Sequence, residues 1–579
     1  MSSAACEFKV YKMTATHGDA LKAIGLADLL QSMFEEPVWV AEEAGEFVIR
    51  TPGDWRTCAS ALPHSPRYPW LKADRTGTDT PPGLDVIDIS EEFERVKRWS
   101  ENRKKFRQKA GPDPELQQLI QQDAPRPRWW IVAAMTATKL KAISTWNRVA
   151  QSIAEERSDE FREQVLRSLN ALSSGQPSDV NWKATSSGLF CPSAIKGFNE
   201  LKPRGTSRGS VAVDDFEEWL RYLGYWQGSH LVSDSDNIRV YVPIPMRLTS
   251  RSIGRLASRL ESEMLIGSGP KSDILVVLAL ARLLIEYSRE YHEPDITPDP
   301  ELSIPFGATP ANVMSGLHVT HFTKTSQRAY GVQATAVLAL PDWFPITTRQ
   351  EAEDWLSILD EHRRVIAGLR DDRSDEIALL IAYRRFLEKR GESAVCALIE
   401  FMERYGAFVM RANGARQGNR IRWVTRFTDG YFRRILMGTN GQLVGIINDP
   451  GFDAVARAVR QATVTAQNKR ARQDKDAWRE VRYELFHDIH RTRKVPGNAF
   501  VECVSEFISR YNYENARHRE IRKDIKAAPA NVSDEELKSF FALVDLHGTA
   551  VVGALLAAYG SCKEKWEGED NKLDTEEAK

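Results

Sequence analysis

Apolar positions near the N-terminus switch between strand and helix spacing. Phe8–Ala15 alternates as a strand does, and Asp19–Met33 repeats its apolar residues with helical period. Val38–Val40 and Phe47–Ile49 flank a polar stretch that contains glycine, which is typical of a hairpin. This part of the chain therefore predicts antiparallel strands mixed with helices.

The mixture continues to about residue 350. Trp129–Ala134 is apolar throughout and predicts a buried strand, and Arg239–Ile244 and the zone 316–340 predict further strands. The strongest apolar run, Ile274–Ile285, is too short to cross a bilayer and contains Arg282. We therefore expect a buried helix there.

Helical patterns follow one another after Thr347 up to about residue 565. Four amphipathic segments begin near Phe452, Trp478, Phe500 and Leu537, and the last is preceded by the capping-box residues Ser533 and Glu536. Four such helices with short connections predict an antiparallel bundle. We expect this bundle, from about Met437 onward, to fold by itself.

These patterns predict an α+β protein in four regions. Residues 1–350 form a mixed domain of antiparallel strands and helices, and 351–440 form a helical connection with a basic segment. Residues 441–565 form the four-helix bundle, and 566–579 form an acidic tail that we expect to be disordered.

Composition narrows the function classes only slightly. The chain has 579 residues with a formal net charge of −1, so global charge indicates no anionic partner. The six cysteines lie far apart and form no C-x-x-C pair, which suits a reducing compartment. We expect a cytoplasmic protein without membrane attachment.

The sequence contains no complete catalytic or metal-binding motif, and we predict neither enzymatic activity nor a cofactor. Gly267–Ser272 resembles a phosphate loop, but Pro270 removes a backbone N–H, which favours a helix entrance. The alternative is a metal-dependent phosphohydrolase built on a His-Asp pair. Its candidate ligands are His487, Asp488, His490, His362 and Asp545.

Basic residues concentrate in the C-terminal half, interleaved at first with aromatic residues. Arginine beside an aromatic ring suits phosphate contact and base stacking, so we predict that this region contacts a nucleic-acid strand. The alternative is a solvated surface of salt bridges, or a scaffold protein that binds no nucleic acid. The predicted strand-contacting residues are Arg422, Arg426, Arg433, Arg434, Arg457, Arg460, Lys469, Arg470, Arg472, Lys475, Arg479 and Arg482.

Two basic loops in the N-terminal half carry donors suited to base edges in a duplex. Glycine beside arginine also lets a backbone approach a phosphate closely. The predicted duplex-contacting residues are Lys202, Arg204, Arg208, Lys324, Gln327 and Arg328.

Three stretches resemble the large subunit of type I CRISPR surveillance complexes (Cascade). They are the opening strand with His17–Leu26, then Phe216–Gly224, and finally Ile446–Phe452 with Ala456–Thr463. The resemblance implies a non-catalytic subunit that contacts crRNA, reads a short motif in target DNA and guides the displaced strand. It also implies partners: backbone, crRNA-end-capping and small subunits, and a recruited helicase-nuclease.

Overall fold

The chain is described by a computed structural model, which covers most of the sequence. The described residues are 5–13, 16–62, 67–73, 83–108, 113–138, 142–154, 158–176, 178–180, 182, 184–185, 190, 213–234, 237–263, 269–291, 307–326, 329–413, 416–417, 420–422, 424–471, 477–521 and 530–564.

The protein divides into two compact units. Unit 1 contains residues 1–268 and 279–340, and unit 2 contains residues 269–278 and 341–579. Unit 1 combines strands and helices, whereas the described part of unit 2 is almost entirely helical, so the predicted α+β class is confirmed. The regions predicted at 351–440 and 441–565 both lie in unit 2, and the predicted tail at 566–579 lies outside the described residues.

Unit 1 is built from short strands and helices of mixed length. A 3-10 helix covers Trp55–Ala61. The strands are β1 (Glu7–Tyr11), β2 (Trp39–Glu43), β3 (Glu46–Arg50), β4 (Trp70–Lys72), β5 (Val86–Asp88), β6 (Ala184–Thr185), β7 (Val213–Asp214), β8 (His230–Asp234), β9 (Asn237–Pro245), β10 (Leu248–Thr249), β11 (Met314–Ser326) and β12 (Ala329–Leu338). The helices are α1 (His17–Gln31), α2 (Ile89–Gln108), α3 (Pro114–Gln122), α4 (Trp129–Thr138), α5 (Ala142–Ala154), α6 (Ser158–Ser174), α7 (Asp215–Gly228), α8 (Ser250–Ser262), α9 (Gly269–Tyr291) and α10 (Pro310–Val313).

Two four-stranded antiparallel sheets frame unit 1. Their strand orders are β1-β3-β2-β10 and β12-β11-β9-β8. In the first sheet Phe8 pairs with Ile49 and Val40 also pairs with Ile49, so the predicted hairpin is confirmed. The strand predicted over Phe8–Ala15 is present but ends at Tyr11. The predicted strand at Trp129–Ala134 is wrong, because these residues begin helix α4. An uninterrupted apolar run suits a buried strand and a buried helix equally, and periodicity alone does not separate them.

Helices α1 and α7 of unit 1 pack closely against each other through two glycines. A Cβ atom at Gly25 would lie 1.8 Å from the carbonyl oxygen of Leu220, and one at Gly224 would lie 2.0 Å from that of Leu21. The backbones therefore touch where no side chain fits. Lys22 adds an ion pair with Glu217 across the same contact. Two of the stretches that carry the family resemblance thus meet in the core of unit 1.

The described residues of unit 2 form consecutive helices and one antiparallel pair of two-residue strands, besides residues 269–278 of α9. A π-helical segment covers Gln461–Thr465. The remaining elements are α11 (Arg349–Gly368), α12 (Ser374–Glu388), α13 (Gly391–Ala412), β13 (Arg416–Gln417), β14 (Arg420–Ile421), α14 (Asp429–Thr439), α15 (Gly441–Ile447), α16 (Pro450–Arg460), α17 (Ala466–Ala471), α18 (Leu485–Thr492), α19 (Ala499–Ile521), α20 (Asp534–His547) and α21 (Thr549–Gly560).

The C-terminal helices differ from the predicted four in their boundaries. The helix expected around Trp478 begins only at Leu485, and Gly548 separates α20 from α21. The capping box of Ser533 and Glu536 at the start of α20 is confirmed. After Asp449, the described residues form five helical rods, because α16, the π segment and α17 are continuous. No helix among the described residues is long and apolar enough to cross a membrane.

These helices are tied to the chain that precedes them. The Arg493 guanidinium holds the Glu403 carboxylate of α13 at 2.7 and 2.6 Å. The Gln467 amide donates to the carbonyl oxygen of Met410 at 2.6 Å, and the backbone N–H of Lys563 donates to that of Phe427 at 2.8 Å. The core of this region therefore extends upstream of Met437.

Candidate nucleic-acid interface

The predicted duplex-contacting residues lie mostly outside the described part of the chain. This holds for Lys202, Arg204, Arg208, Gln327 and Arg328. Lys324 is described: it lies near the end of β11, opposite Tyr330 of β12, and its side chain is exposed. The described part of the hairpin of β11 and β12 thus carries one predicted cation, near the end of β11.

Arg422 and Arg434, which we predicted to contact a nucleic-acid strand, form ion pairs with carboxylates within unit 2. Arg422 donates two hydrogen bonds of 2.6 Å to Glu376, whose side chain is 1% exposed. Burial opposes ionisation of Glu376, but the hydrogen bonds from Arg422 and from the Arg370 backbone outweigh it and lower its pKa. Arg434 binds Glu351 at 2.8 Å and Asp354 at 3.2 Å. This geometry gives both arginines a structural role.

Arg460 is buried and joins three segments of unit 2. Its guanidinium lies 3.2 Å from Asp429 and 2.6 Å from Glu564, and one nitrogen donates to the carbonyl oxygen of Tyr559. Arg433 donates to the Tyr559 hydroxyl at 3.1 Å. A buried guanidinium with two carboxylates is already neutralised, so it offers little to a phosphate.

Arg479 and Arg482 also bind within the protein. Arg479 lies 4.6 Å above the Trp478 ring and 4.2 Å from the Tyr511 ring, and it donates to Asn515 and Glu514. Arg482 shares the Glu514 carboxylate. Both arginines precede helix α18, so they do not lie on the amphipathic helix that we predicted from about Trp478. Arg472 and Lys475 lie outside the described residues, and Arg426 is half-buried.

Arg457, Lys469 and Arg470 behave differently from this buried set. They lie on the continuous helix 450–471, and none forms an ion pair with a described residue. Asp453 stands one turn before Arg457 at a spacing that favours an ion pair, yet these two side chains form none. From 454 to 473 the sequence contains five cations and no acid.

One narrow stripe of this helix reaches the surface. The half-exposed positions recur at every fourth residue, and nearly all positions between them are buried. We define the exposed stripe as Asp453, Arg457, Gln461, Thr465 and Lys469, with the exposed Arg470 beside its end.

The π segment keeps the exposed stripe aligned. On a helix with 3.6 residues per turn, two side chains four residues apart differ in direction by about 40° around the helix axis. A π-helical turn contains more residues than an α-helical turn, so a π segment reduces the rotation that accumulates along such a row of side chains. The segment Gln461–Thr465 lies midway between Arg457 and Lys469. Both cations therefore face the same side of the helix. The π segment inserts one residue without adding length, so at 1.5 Å per residue the two cations are about 16 Å apart along the axis.

A backbone contact also links the π segment to the chain beside it. The backbone N–H of Arg482 donates to the carbonyl oxygen of Ala462 at 2.9 Å. A π turn alters the regular pattern of helix hydrogen bonds, and this carbonyl takes a partner from outside the helix. The segment before α18 is thus anchored to the middle of the helix that carries the exposed stripe.

The candidate enzyme residues do not assemble into a metal site. His362 is buried and shares a 2.6 Å hydrogen bond with the Tyr383 hydroxyl, and burial lowers its pKa to about 3. His490 lies 2.7 Å from Glu403, which Arg493 also binds. Among the residues that the structure describes, no group of three His, Cys, Asp or Glu side chains is arranged to hold a metal ion.

The lysine of the loop that resembles a phosphate loop has a structural partner. The Lys271 ammonium donates to the carbonyl oxygens of Ala367 and Leu369, at 2.8 and 2.6 Å. It therefore satisfies acceptors at the C-terminus of α11, where a cation is favourable. This occupation favours the helix-entrance interpretation of residues 269–272.

Comparison with known proteins assigns no family to this chain. No protein-family model matches it, and no curated protein matches it significantly. The candidate interface therefore depends on its own geometry. Arg457, Lys469 and Arg470 were predicted from the sequence, whereas Gln461 and Thr465 were not. The signal that could have found them is the polar residue at every fourth position from Asp453 to Lys469.

Proposed function

We propose that this protein binds single-stranded nucleic acid along the exposed stripe, as the non-catalytic large subunit of a type I CRISPR surveillance complex. One observation carries the proposal: a helix that is otherwise buried exposes one polar stripe, and the cations on it have no carboxylate partner among the described residues. The neighbouring arginines, by contrast, are neutralised within the fold.

The chemistry of the exposed stripe suits a phosphate backbone. Arg457 and Lys469 supply positive charge at two points along one line, and Gln461 and Thr465 between them offer neutral hydrogen-bonding groups. Cations that track a strand give affinity without base specificity, and their effect falls steeply with salt. This is the behaviour needed to guide a displaced strand of any sequence.

The resemblance to Cascade large subunits supplies the wider role. In this proposal unit 1 contacts the crRNA end and reads a short motif in the target duplex, with Lys324 and the adjoining Gln327 and Arg328 as candidate readers. Backbone, crRNA-end-capping and small subunits are the partners within the cytoplasmic complex. A separate helicase-nuclease, recruited by the assembled complex, cuts the DNA.

Co-expression with the genes that neighbour this one tests the assembly directly. We expect the protein to copurify with several subunits and with bound RNA, which ultraviolet absorbance and nuclease digestion reveal. The purified protein alone should bind a labelled oligothymidylate at low salt. A monomer that carries no RNA, gains no partner and binds no oligonucleotide would refute the proposal and favour a scaffold without a nucleic-acid role.

A further inference from the structure

The last described residues of the chain lie against the helix that carries the exposed stripe. Glu564 is 42% exposed, and its carboxylate lies 2.6 Å from the guanidinium of Arg460. The described chain therefore ends beside Arg460, which is three residues after Arg457 on the same helix. The backbone bridge between Lys563 and Thr428 fixes this position.

The sequence beyond this point is strongly acidic. Residues 565–579 contain six carboxylates and three lysines. The ion pair of Glu564 with Arg460 is therefore the first contact of an acidic run with a helix whose remaining cations have no partner among the described residues. Opposite charges attract at short range, and salt screens that attraction.

The length of this segment is sufficient to reach the whole exposed stripe. Fifteen residues span about 50 Å when extended, at roughly 3.3 Å per residue. The distance along the helix from Arg460 to Lys469 is about 12 Å, at 1.5 Å per residue with one residue inserted by the π segment. Because the segment is tethered beside its target, its effective concentration there is high, on the order of millimolar.

We propose that residues 565–579 compete with nucleic acid for the exposed stripe as an intramolecular acidic pseudo-ligand. The proposal rests on the proposed function, since the competitor and the ligand share the same cations. Its carboxylates occupy Arg457 and Lys469 in the free protein, and a nucleic-acid strand of higher charge density displaces them. The segment thereby suppresses weak, non-specific binding and leaves binding of a strand held in place by the complex.

Two altered proteins test the competition with a labelled oligothymidylate as the probe. One ends after Glu564, and the other carries the neutral tail E567Q, E569Q, D570N, D574N, E576Q and E577Q. Both should bind the probe about threefold or more tightly than the full chain at low salt, and the difference should vanish at high salt. A tail with the same residues in scrambled order should behave like the natural tail. Equal affinity of all four proteins at low salt, where binding is measurable, would overturn the proposal.

A second measurement separates this proposal from the proposed function. Trypsin cleaves after Lys572, and docking of the tail should slow this cleavage at low salt. The variant R457E/K469E should lose the protection, whereas the exposed control R385E/R517E should keep it. If no protein binds the probe but the tail is still protected in a charge-dependent way, the proposed function fails and the docking stands. Equal cleavage rates in all three proteins would refute the docking itself.

Discussion

Unit 2 contains two sets of cations that resemble each other in sequence and differ in setting. Arg422, Arg460 and Arg479 are largely buried, and each binds a carboxylate from a distant part of the chain. Arg457 and Lys469 lie on a partly exposed stripe and bind no carboxylate of the described residues. The first set stabilises the fold, and the second set is the one that our proposed function assigns to nucleic acid.

The comparison shows that local sequence does not reveal the role of an arginine. Arg457 and Arg460 are three residues apart on one helix, yet only Arg460 meets Asp429 and Glu564. The deciding carboxylates come from segments that tertiary packing brings close. A basic cluster in a sequence can therefore combine arginines with structural roles and arginines that face a ligand. The groups that surround each arginine in the fold decide its role.

We expect the largest loss of stability when a truncation removes the residues that bind the buried arginines. A fragment of residues 437–579 loses Asp429, Glu403 and Met410, which bind Arg460, Arg493 and Gln467. We expect it to aggregate or to unfold without a cooperative transition, measured by circular dichroism during heating. A fragment that starts at residue 341 keeps these partners and should unfold cooperatively. A stable fragment 437–579 would show that the buried set is dispensable, as our sequence-based expectation of an independent bundle requires.

A single member of the buried set should also matter. R422A leaves the Glu376 carboxylate buried without its guanidinium, which should lower the free energy of unfolding by about 3 kcal/mol. Denaturant titration measures this change. The matched control is R411A, because Arg411 pairs with Asp375 on the surface and should cost less than about 1 kcal/mol. Equal losses in the two variants would contradict the distinction between buried and exposed pairs.

The Glu351–Arg434 pair should give a smaller, pH-dependent effect. Hydrogen bonds from Thr347, together with Arg434, lower the pKa of Glu351 from 4.5 to about 2. Because the pKa of Glu351 is lower in the folded state than in the unfolded state, its ionised carboxylate stabilises the fold. This stabilisation is complete at pH values above the unfolded-state pKa and is lost as the pH falls towards the folded-state pKa. The wild type should therefore be more stable than E351Q at about pH 7, by roughly 1 kcal/mol or less because the site is partly exposed.

Denaturant titrations across a pH series measure this gap. It should remain constant down to about pH 5 and narrow below the unfolded pKa of 4.5. If the stability difference between the wild type and E351Q instead grows at acidic pH, the fold does not stabilise Glu351 in its ionised form.

Elements with strong local signals were predictable from the sequence. The helix over Ile274–Ile285 and the capping box at Ser533 follow from periodicity and from side-chain hydrogen bonding, and both are confirmed. Trp129–Ala134 and the segment at Trp478 were mispredicted because tertiary packing decides between helix, strand and irregular structure there. The exposed stripe was only partly predictable, since its alignment depends on a π segment that periodicity of 3.6 does not anticipate.

The smallest expected effect on stability belongs to the exposed set. R457E/K469E breaks no ion pair with a described residue, so its free energy of unfolding should stay within about 1 kcal/mol of the wild type. The exposed control R385E/R517E carries the same change of charge elsewhere in unit 2. Denaturant titration of both variants establishes that any loss of binding is not a loss of folding.

The salt dependence of oligothymidylate binding tests the central claim most directly. Each lost phosphate contact should reduce the slope of log affinity against log salt by about 0.7 for a single strand. R457E/K469E should therefore bind more weakly with a slope shallower by about 1.4, while R385E/R517E keeps the wild-type slope. Wild-type affinity and slope in R457E/K469E, with the protein folded, would contradict the assignment of the exposed stripe to nucleic acid.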